Sequence, residues 1–303
     1  GHKNPDTDSI CSAIAYADIK NRTTQNKKYI PKRAGQINEE TRYVLNRFGV
    51  QPPAYLGNIG TQVKDMDIRI SPPADKSMSL KNAWDMMQEN SIVSLPIRDK
   101  DGCLEGLVTI GDIAKTYMDT TDSYLLSNAR TQYQRIAETV GGEVVEGNSH
   151  GYFVKGKVLV GTANPKMMEG YIEENDMIIM GDREEDHLQA ISQNVSCIIV
   201  GLNIVVSEKV VKLAHEKSIV IIRSPYDTFN IARLINQSIP VNYVMKRDNM
   251  VTFNTEDFTD DIQEVMIKNR HRAFPVINPH GKCIGTISRR NFLEMHKKKV
   301  VLV

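Results

Sequence analysis

Hydrophobic and polar positions repeat in the same order in two widely separated parts of the chain. In each part an amphipathic helix, Leu80 to Glu89 or Thr259 to Lys268, precedes an apolar strand that contains a proline. A turn with Gly102 or Gly281 at its tip leads into a second strand and another helix, and glycine suits the positive φ of a tight hairpin. The pattern predicts two copies of a β-hairpin flanked by helices.

The two copies are in register over a long stretch without a gap. Identical residues stand 179 positions apart at four well-spaced points of each copy: Met66 and Met245, Met87 and Met266, Pro96 and Pro275, Gly106 and Gly285. A constant offset of this kind indicates an internal repeat.

Between the copies, residues from about 120 to 240 read as alternating strands and helices. The predicted strands are the apolar runs Met177 to Met180, Cys197 to Val200 and Ile219 to Ile222. The predicted helices include Asp186 to Gln193 and Glu208 to Glu216. We therefore expect an α/β domain inserted between the repeats.

Composition narrows the class of protein. Of the 303 residues 41% are hydrophobic, which is enough to bury more than one core, and 38 Lys and Arg balance 37 Asp and Glu. A balanced charge gives no reason to expect nucleic acid or membrane partners. No apolar run reaches the ~20 residues that cross a bilayer, so we expect a cytoplasmic protein.

The four cysteines are Cys11, Cys103, Cys197 and Cys283. Their spacing is not that of a metal site or of a disulfide framework, and we expect buried thiols.

The repeats resemble the cystathionine-β-synthase (CBS) domain, which pairs with a second copy and binds adenosine nucleotides in the clefts between them. The family motif Gly-x-x-Thr/Ser-x-x-Asp is complete in the first copy as Gly106, Thr109 and Asp112. In the second copy Gly285 and Ser288 are followed by Asn291. The resemblance implies that the hydroxyl meets a phosphate and that the Asp or Asn binds ribose. Because Asn carries no charge, we expect unequal sites.

Further residues around the prolines are candidates for nucleotide contacts. In the second copy they are Arg270, His271, Arg272, Phe274 and Pro275, where guanidinium groups suit phosphate and an aromatic ring can stack on a purine. The alternative is a solvated basic turn. In the first copy the corresponding candidates are Ser91, Ile92, Val93, Leu95 and Pro96, which offer backbone and apolar contacts.

Three segments of the inserted domain are similar to the DRTGG domain, which lies between paired CBS domains in some pyrophosphatases. They are Gly181-Asp182-Arg183, residues 199–203 and residues 224–229. The Gly-Gly of the domain name is not kept, since Leu202 follows Gly201.

The N-terminal residues offer candidate metal ligands. His2, Asp6 and Asp8 place one imidazole and two carboxylates within seven residues, a set that suits Mn²⁺ or Mg²⁺, although solvated loop residues are the alternative. The string resembles the first motif of the DHH phosphoesterases, in particular the manganese-dependent (family II) pyrophosphatases. That resemblance implies that His2 and Asp6 bind one metal and Asp8 the other. The family's later motifs are missing, so we expect a fragment that does not hydrolyse pyrophosphate alone.

The predicted fold class is α/β, with a partial DHH domain, a tandem CBS pair and an inserted DRTGG domain. The expected bounds are 1–57 for the start of the DHH domain, 58–120 and 240–299 for the CBS domains, 121–239 for the DRTGG domain and 300–303 for the next DHH strand.

The resemblance implies a nucleotide-regulated inorganic pyrophosphatase, which splits pyrophosphate with water into two phosphates. AMP or ADP would inhibit, ATP or a diadenosine polyphosphate would activate, and the protein would form a homodimer. Two alternatives stay open. One is a non-catalytic adenylate sensor that acts on another protein, and the other is a DHH-type nuclease or nucleotide phosphoesterase.

Overall fold

The computed structural model describes residues 4–24, 29–56, 61–118, 122–161, 170–269 and 271–292. Predictions that fall on His2, Arg270 and residues 300–303 lie outside this part of the chain. The chain divides into two compact units, Gly1–Gln62 with Phe258–Asp260, and Val63–Asp257 with Asp261–Val303.

The first unit contains two helices and a short parallel strand pair. Its elements are α1 (Thr7–Thr23), β1 (Lys32–Arg33), α2 (Glu39–Arg47) and β2 (Ala54–Tyr55). Helix α1 begins at Thr7 because Asp6 caps it by accepting a hydrogen bond from the Ser9 backbone N–H at 2.8 Å. A helix start defined by a polar cap does not show in apolar spacing.

The first copy of the repeat folds as predicted. Its elements are β3 (Arg69–Ile70), α3 (Leu80–Glu89), β4 (Ser94–Arg98), β5 (Leu104–Thr109) and α4 (Ile110–Met118). Ser79 caps α3, and strands β4 and β5 form an antiparallel hairpin. Gly102 at the hairpin turn has a φ of +87°, which confirms the predicted turn.

The inserted domain is an α/β sandwich around a five-stranded sheet. Its elements are α5 (Leu125–Asn128), β6 (Thr131–Gln132), α6 (Tyr133–Thr139), β7 (Glu143–Glu146), β8 (Tyr152–Phe153), β9 (Val158–Val160), β10 (Met177–Met180), α7 (Glu184–Ser192), β11 (Cys197–Val200), α8 (Glu208–Glu216), β12 (Val220–Arg223) and α9 (Thr228–Leu234).

The sheet of this domain has the order β7-β12-β11-β10-β9, and its strands are parallel except for β7. Met177 and Ile179 of β10 face one hydrophobic core, whereas Ile178 and Met180 face a second core on the other side of the sheet. Burial on both faces explains why these strands are continuously apolar in sequence. Helix α7 starts at Glu184, two residues before the predicted Asp186.

The second copy contains β13 (Phe253–Asn254), α10 (Thr259–Lys268), β14 (Phe274–Ile277) and β15 (Cys283–Ile287). Short 3₁₀ helices span Val63–Asp65, Ile235–Ser238 and Val241–Tyr243. Helix α10 has the predicted bounds, and Gly281 at the hairpin turn has a φ of +77°.

The two copies exchange their first extended segments. Strand β3 of the first copy pairs antiparallel with β15 of the second. Reciprocally, Lys246 of the second copy exchanges two backbone hydrogen bonds with Leu107 in β5 of the first. Gly106 allows this approach, because a Cβ atom there would lie 2.7 Å from the Met245 sulfur. The exchange joins the copies into one body and puts residues of each copy beside the motif of the other.

The four cysteines are all free thiols. Cys197 and Cys283 are buried as expected, but the same expectation is wrong for Cys11 and Cys103, which are partly exposed. Within the described residues, we find no helix with the length and apolar character needed to cross a membrane.

Candidate functional site

A cleft of about 820 Å³ lies between the two copies, beside the motif of the second copy. Both copies contribute to its wall. Six of the residues predicted from sequence line it: Ile92, Val93, His271, Arg272, Ser288 and Asn291. The structure therefore brings together Ile92 and Val93 of the first copy and His271 and Arg272 of the second.

The Ser288 motif is held by a compact set of hydrogen bonds. The Asn291 Oδ1 atom accepts from the Ser288 backbone N–H at 2.9 Å and from the Ser288 hydroxyl at 2.5 Å. The Asn291 Nδ2 atom donates to the backbone carbonyl of Asp67 at 3.0 Å. Asn291 thus ties the loop after β15 to the exchanged segment that contains β3, and it fixes the position of the Ser288 hydroxyl at the cleft.

Sequence reasoning missed several residues of the cleft wall: Asp67, Arg69, Ser94, Ala273, Thr286, Ile287, Arg289 and Arg290. Arg69 donates to the Ser91 carbonyl at 2.9 Å, which holds the loop that presents Ile92 and Val93. Arg69 was missed because the pairing of a strand of one copy with a strand of the other cannot be read from the order of residues along the chain. The Arg289-Arg290 pair could have been found, since it lies inside the motif between Ser288 and Asn291.

The arginines of the wall have different tasks. Arg289 donates to the carbonyls of Met266 and Asn269 at 2.6 Å, so it provides hydrogen bonds to backbone carbonyls at the C-terminal end of α10. Arg272 is exposed at the cleft. Arg69 and Arg272, with His271 nearby, give the cleft cationic and hydrogen-bond donor groups that suit an anion.

The structure does not support the predicted stacking role of Phe274. Its ring is fully buried in the core of the second copy, with its centroid 5.2 Å from that of Phe253, and it does not line the cleft. Leu95, Pro96 and Pro275 are also buried and absent from the cleft wall. The reason is that β4 and β14 are covered on both faces, so strand residues near the prolines point into the cores.

Ser91 is exposed outside the cleft wall, and its φ of +50° marks a strained turn. Its contribution is the carbonyl that binds Arg69. The prediction that Ser91 itself contacts a ligand receives no support from this position.

The first-copy motif has a different setting. Asp112 accepts from the backbone N–H of Thr109 at 2.9 Å and from its hydroxyl at 2.6 Å. Asp112 also lies 3.3 Å from the Lys246 ammonium nitrogen. It lines a separate cavity of about 440 Å³, together with Lys115 and Asp122.

The predicted metal ligands Asp6 and Asp8 are both exposed at the start of α1. Asp6 is engaged as the helix cap, and Asp8 accepts a hydrogen bond from the Ser12 hydroxyl at 3.4 Å. Among the described residues no three His, Cys, Asp or Glu side chains come together in a group that could hold a metal ion. The described part of the chain therefore does not fit a complete metal centre.

Comparison with known proteins agrees with this architecture. The DRTGG domain model matches residues 135–238, and the CBS domain model matches residues 63–119 and 241–297. A crystal structure of the CBS and DRTGG domains of the regulatory region of Clostridium perfringens pyrophosphatase superposes with a TM-score of 0.72. Its sequence is 34% identical to that of this chain. The match includes all of that structure and 76% of this chain. The chain belongs to the inorganic pyrophosphatase family.

Two pyrophosphatases match over the whole of this chain. The cobalt-dependent inorganic pyrophosphatase of Clostridium perfringens is 38% identical over 303 residues, and a probable manganese-dependent one of Thermotoga maritima is 31% identical. The chain spans 55% of the length of each of these pyrophosphatases. The Clostridium perfringens regulatory region was solved with its activator, diadenosine tetraphosphate. The α/β fold, the CBS pair and the DRTGG domain predicted from the sequence are confirmed.

Proposed function

We propose that this chain is the regulatory part of a metal-dependent inorganic pyrophosphatase and that an adenine nucleotide binds in the cleft beside the Ser288 motif. The observation that carries the proposal is the meeting of donors and apolar side chains from both copies in one cleft. Its volume of about 820 Å³ lies in the range of ordinary small-molecule sites.

The parts of the cleft suit the parts of a nucleotide. Arg272 and His271 offer cationic or donor groups for phosphate oxygens, beside the Ser288 hydroxyl. The Asn291 amide donates one N–H to the Asp67 carbonyl and keeps its second N–H for a ribose hydroxyl. Ile92 and Val93 offer an apolar surface for the base, held in place by the Arg69 bond to Ser91. Phe274 has no part in this assignment.

The ligand class follows from the cleft and from the relative. AMP, ADP, ATP and diadenosine polyphosphates share the adenosine and phosphate chemistry to which these residues are suited. The Clostridium perfringens regulatory region binds diadenosine tetraphosphate as an activator. We propose the same ligand class here, with AMP or ADP as inhibitor and with ATP or a diadenosine polyphosphate as activator. A ligand that binds one arrangement of the CBS pair more tightly would shift the catalytic part accordingly.

Calorimetric titration tests the binding proposal. AMP, ATP and diadenosine tetraphosphate are titrated into the purified chain, into the Arg272→Ala variant and into the matched control Arg233→Ala. Arg233 is an exposed arginine of the DRTGG domain that packs over Phe229, away from the cleft wall. We expect weaker binding only for Arg272→Ala. Equal affinity in all three proteins would remove Arg272 from the site, and no binding to the unaltered chain would defeat the proposal.

We further propose that hydrolysis belongs to the complete enzyme and uses Mn²⁺ or another divalent ion, with His2, Asp6 and Asp8 among its ligands. The names of the relatives give cobalt for one and manganese for the other. Because the described residues hold no metal cluster, we expect no phosphate release from pyrophosphate by this chain with Mn²⁺, Co²⁺ or Mg²⁺. Substantial release would contradict that expectation. The homodimer and the cytoplasmic location remain predictions. Light scattering measures the oligomeric state.

A further inference from the structure

The two motifs of the repeat differ in what occupies their ribose-binding position. In the first copy both carboxylate oxygens of Asp112 are engaged. Its Oδ2 atom accepts from the Thr109 N–H and hydroxyl, and its Oδ1 atom lies 3.3 Å from the Lys246 ammonium nitrogen. Asp112 keeps only 16% of its side chain exposed. A ligand hydroxyl that approached Asp112 would meet a carboxylate already paired with a cation.

The second copy shows the same position without an ion pair. Asn291 makes the equivalent bonds to Ser288, and its amide donates to the backbone carbonyl of Asp67. Asp67 and Lys246 are equivalent residues of the repeat, since they stand 179 positions apart on the two exchanged segments. The exchanged segment of the first copy therefore contributes a backbone carbonyl to the second motif. The exchanged segment of the second copy contributes a charged side chain to the first motif.

The surroundings of the two motifs differ in charge as well. The open cleft beside Ser288 has four arginines, Arg69, Arg272, Arg289 and Arg290, against the single carboxylate of Asp67. The cavity beside Asp112 has two cations, Lys115 and Lys246, which face two carboxylates, Asp112 and Asp122. A nucleotide phosphate gains favourable electrostatics in the first setting and little in the second.

We propose that Lys246 occupies the first motif as an internal cation in place of a ligand, so that each chain binds one nucleotide rather than two. This inference rests on the proposed binding of nucleotides to the Ser288 cleft. Lys246 then determines how many nucleotide sites the chain has. It withdraws the Asp112 carboxylate from ribose hydroxyls, and its side chain reaches from the segment paired with Leu107 across to α4.

Lys246 can be replaced without removing the contacts that hold its segment. Its backbone N–H and carbonyl bond to Leu107 and do not depend on the side chain, which is 59% exposed. Lys246→Ala removes both the charge and the reach of the side chain. Lys246→Arg keeps both and serves as the conservative control, and Lys246→Gln replaces the alanine variant if that variant does not fold.

The test is a count of sites by equilibrium dialysis with radiolabelled AMP up to millimolar concentration. We expect one AMP per chain for the unaltered protein and for Lys246→Arg, and a second, weaker site in Lys246→Ala or Lys246→Gln. Two sites in the unaltered protein, or one site in both neutral variants, would overturn the inference while leaving the proposed function intact. Absence of any AMP binding to the unaltered chain would instead defeat the proposed function and this inference together.

Discussion

The backbone carbonyl oxygen of Arg69 lies 2.3 Å from the point where a Cβ atom on Gly285 would stand. The glycine that opens the second motif is therefore needed for the close approach of the exchanged strand β3 to β15. The same strand positions Arg69 and Asp67 in the cleft. A motif glycine thus connects the packing of the two copies with the composition of the candidate site.

Gly285→Ala should destabilise the chain by about 1 to 3 kcal/mol, because the added methyl group must push the β3 backbone away. Thermal or denaturant unfolding measures the change. Gly181→Ala is the matched control, since a Cβ atom at Gly181 meets nothing within 4 Å. Equal stability of the two variants would contradict the exchanged-strand packing.

Arg272 and Arg289 should give opposite results although both line the cleft. Arg272→Ala should weaken AMP binding about tenfold or more with little change in stability, because charge-assisted hydrogen bonds contribute about 1.5 to 3 kcal/mol each. Arg289→Ala should lower the unfolding free energy, because the carbonyls of Met266 and Asn269 lose their donor. Calorimetry and denaturant melts on both variants check this. An Arg272 variant that unfolds early but binds normally would reverse the assignment.

Phe274 should matter for stability rather than for binding. Its fully buried ring packs against Phe253, so Phe274→Ala should cost about 3 to 5 kcal/mol. Phe274→Leu should lose less, since it keeps most of the buried volume, and its AMP affinity should stay within about twofold of the unaltered chain. A large loss of affinity in a stably folded Phe274→Leu variant would restore the stacking role.

The thiols should separate into two classes. Burial raises the pKa of both Cys197 and Cys283, so few of these thiols are ionised near neutral pH. The partly exposed Cys11 and Cys103 should therefore react first with a disulfide reagent in the native chain. Cys197 and Cys283 should react only slowly, with a rate that rises as pH increases and that becomes fast in denaturant. Equal native rates for all four would contradict this burial.

Much of the fold could be predicted from the sequence because apolar periodicity reflects burial directly. The bounds of α3, α8, α10, β10 and β11 follow from that pattern. Helix starts were less accurate, since α7 begins two residues before the predicted Asp186, at the acidic residues Glu184 and Glu185 that apolar spacing does not reveal.

The candidate site was only partly predictable. Motif spacing identified Ser288 and Asn291, and a basic run identified His271 and Arg272. Strand exchange placed Arg69 in the cleft and gave Asp112 its partner Lys246, and neither contact is visible along the chain. The sequence also could not show that Phe274 points into the core. A strand that is buried on both faces has no alternation of apolar and polar residues that would distinguish its two faces.

The location of a bound nucleotide tests the central claim most directly. A crystal structure of this chain grown with millimolar AMP should show the phosphate beside Arg272 and Ser288 and the ribose beside Asn291. A cleft that stays empty under those conditions, or AMP bound only beside Asp112, would contradict the account.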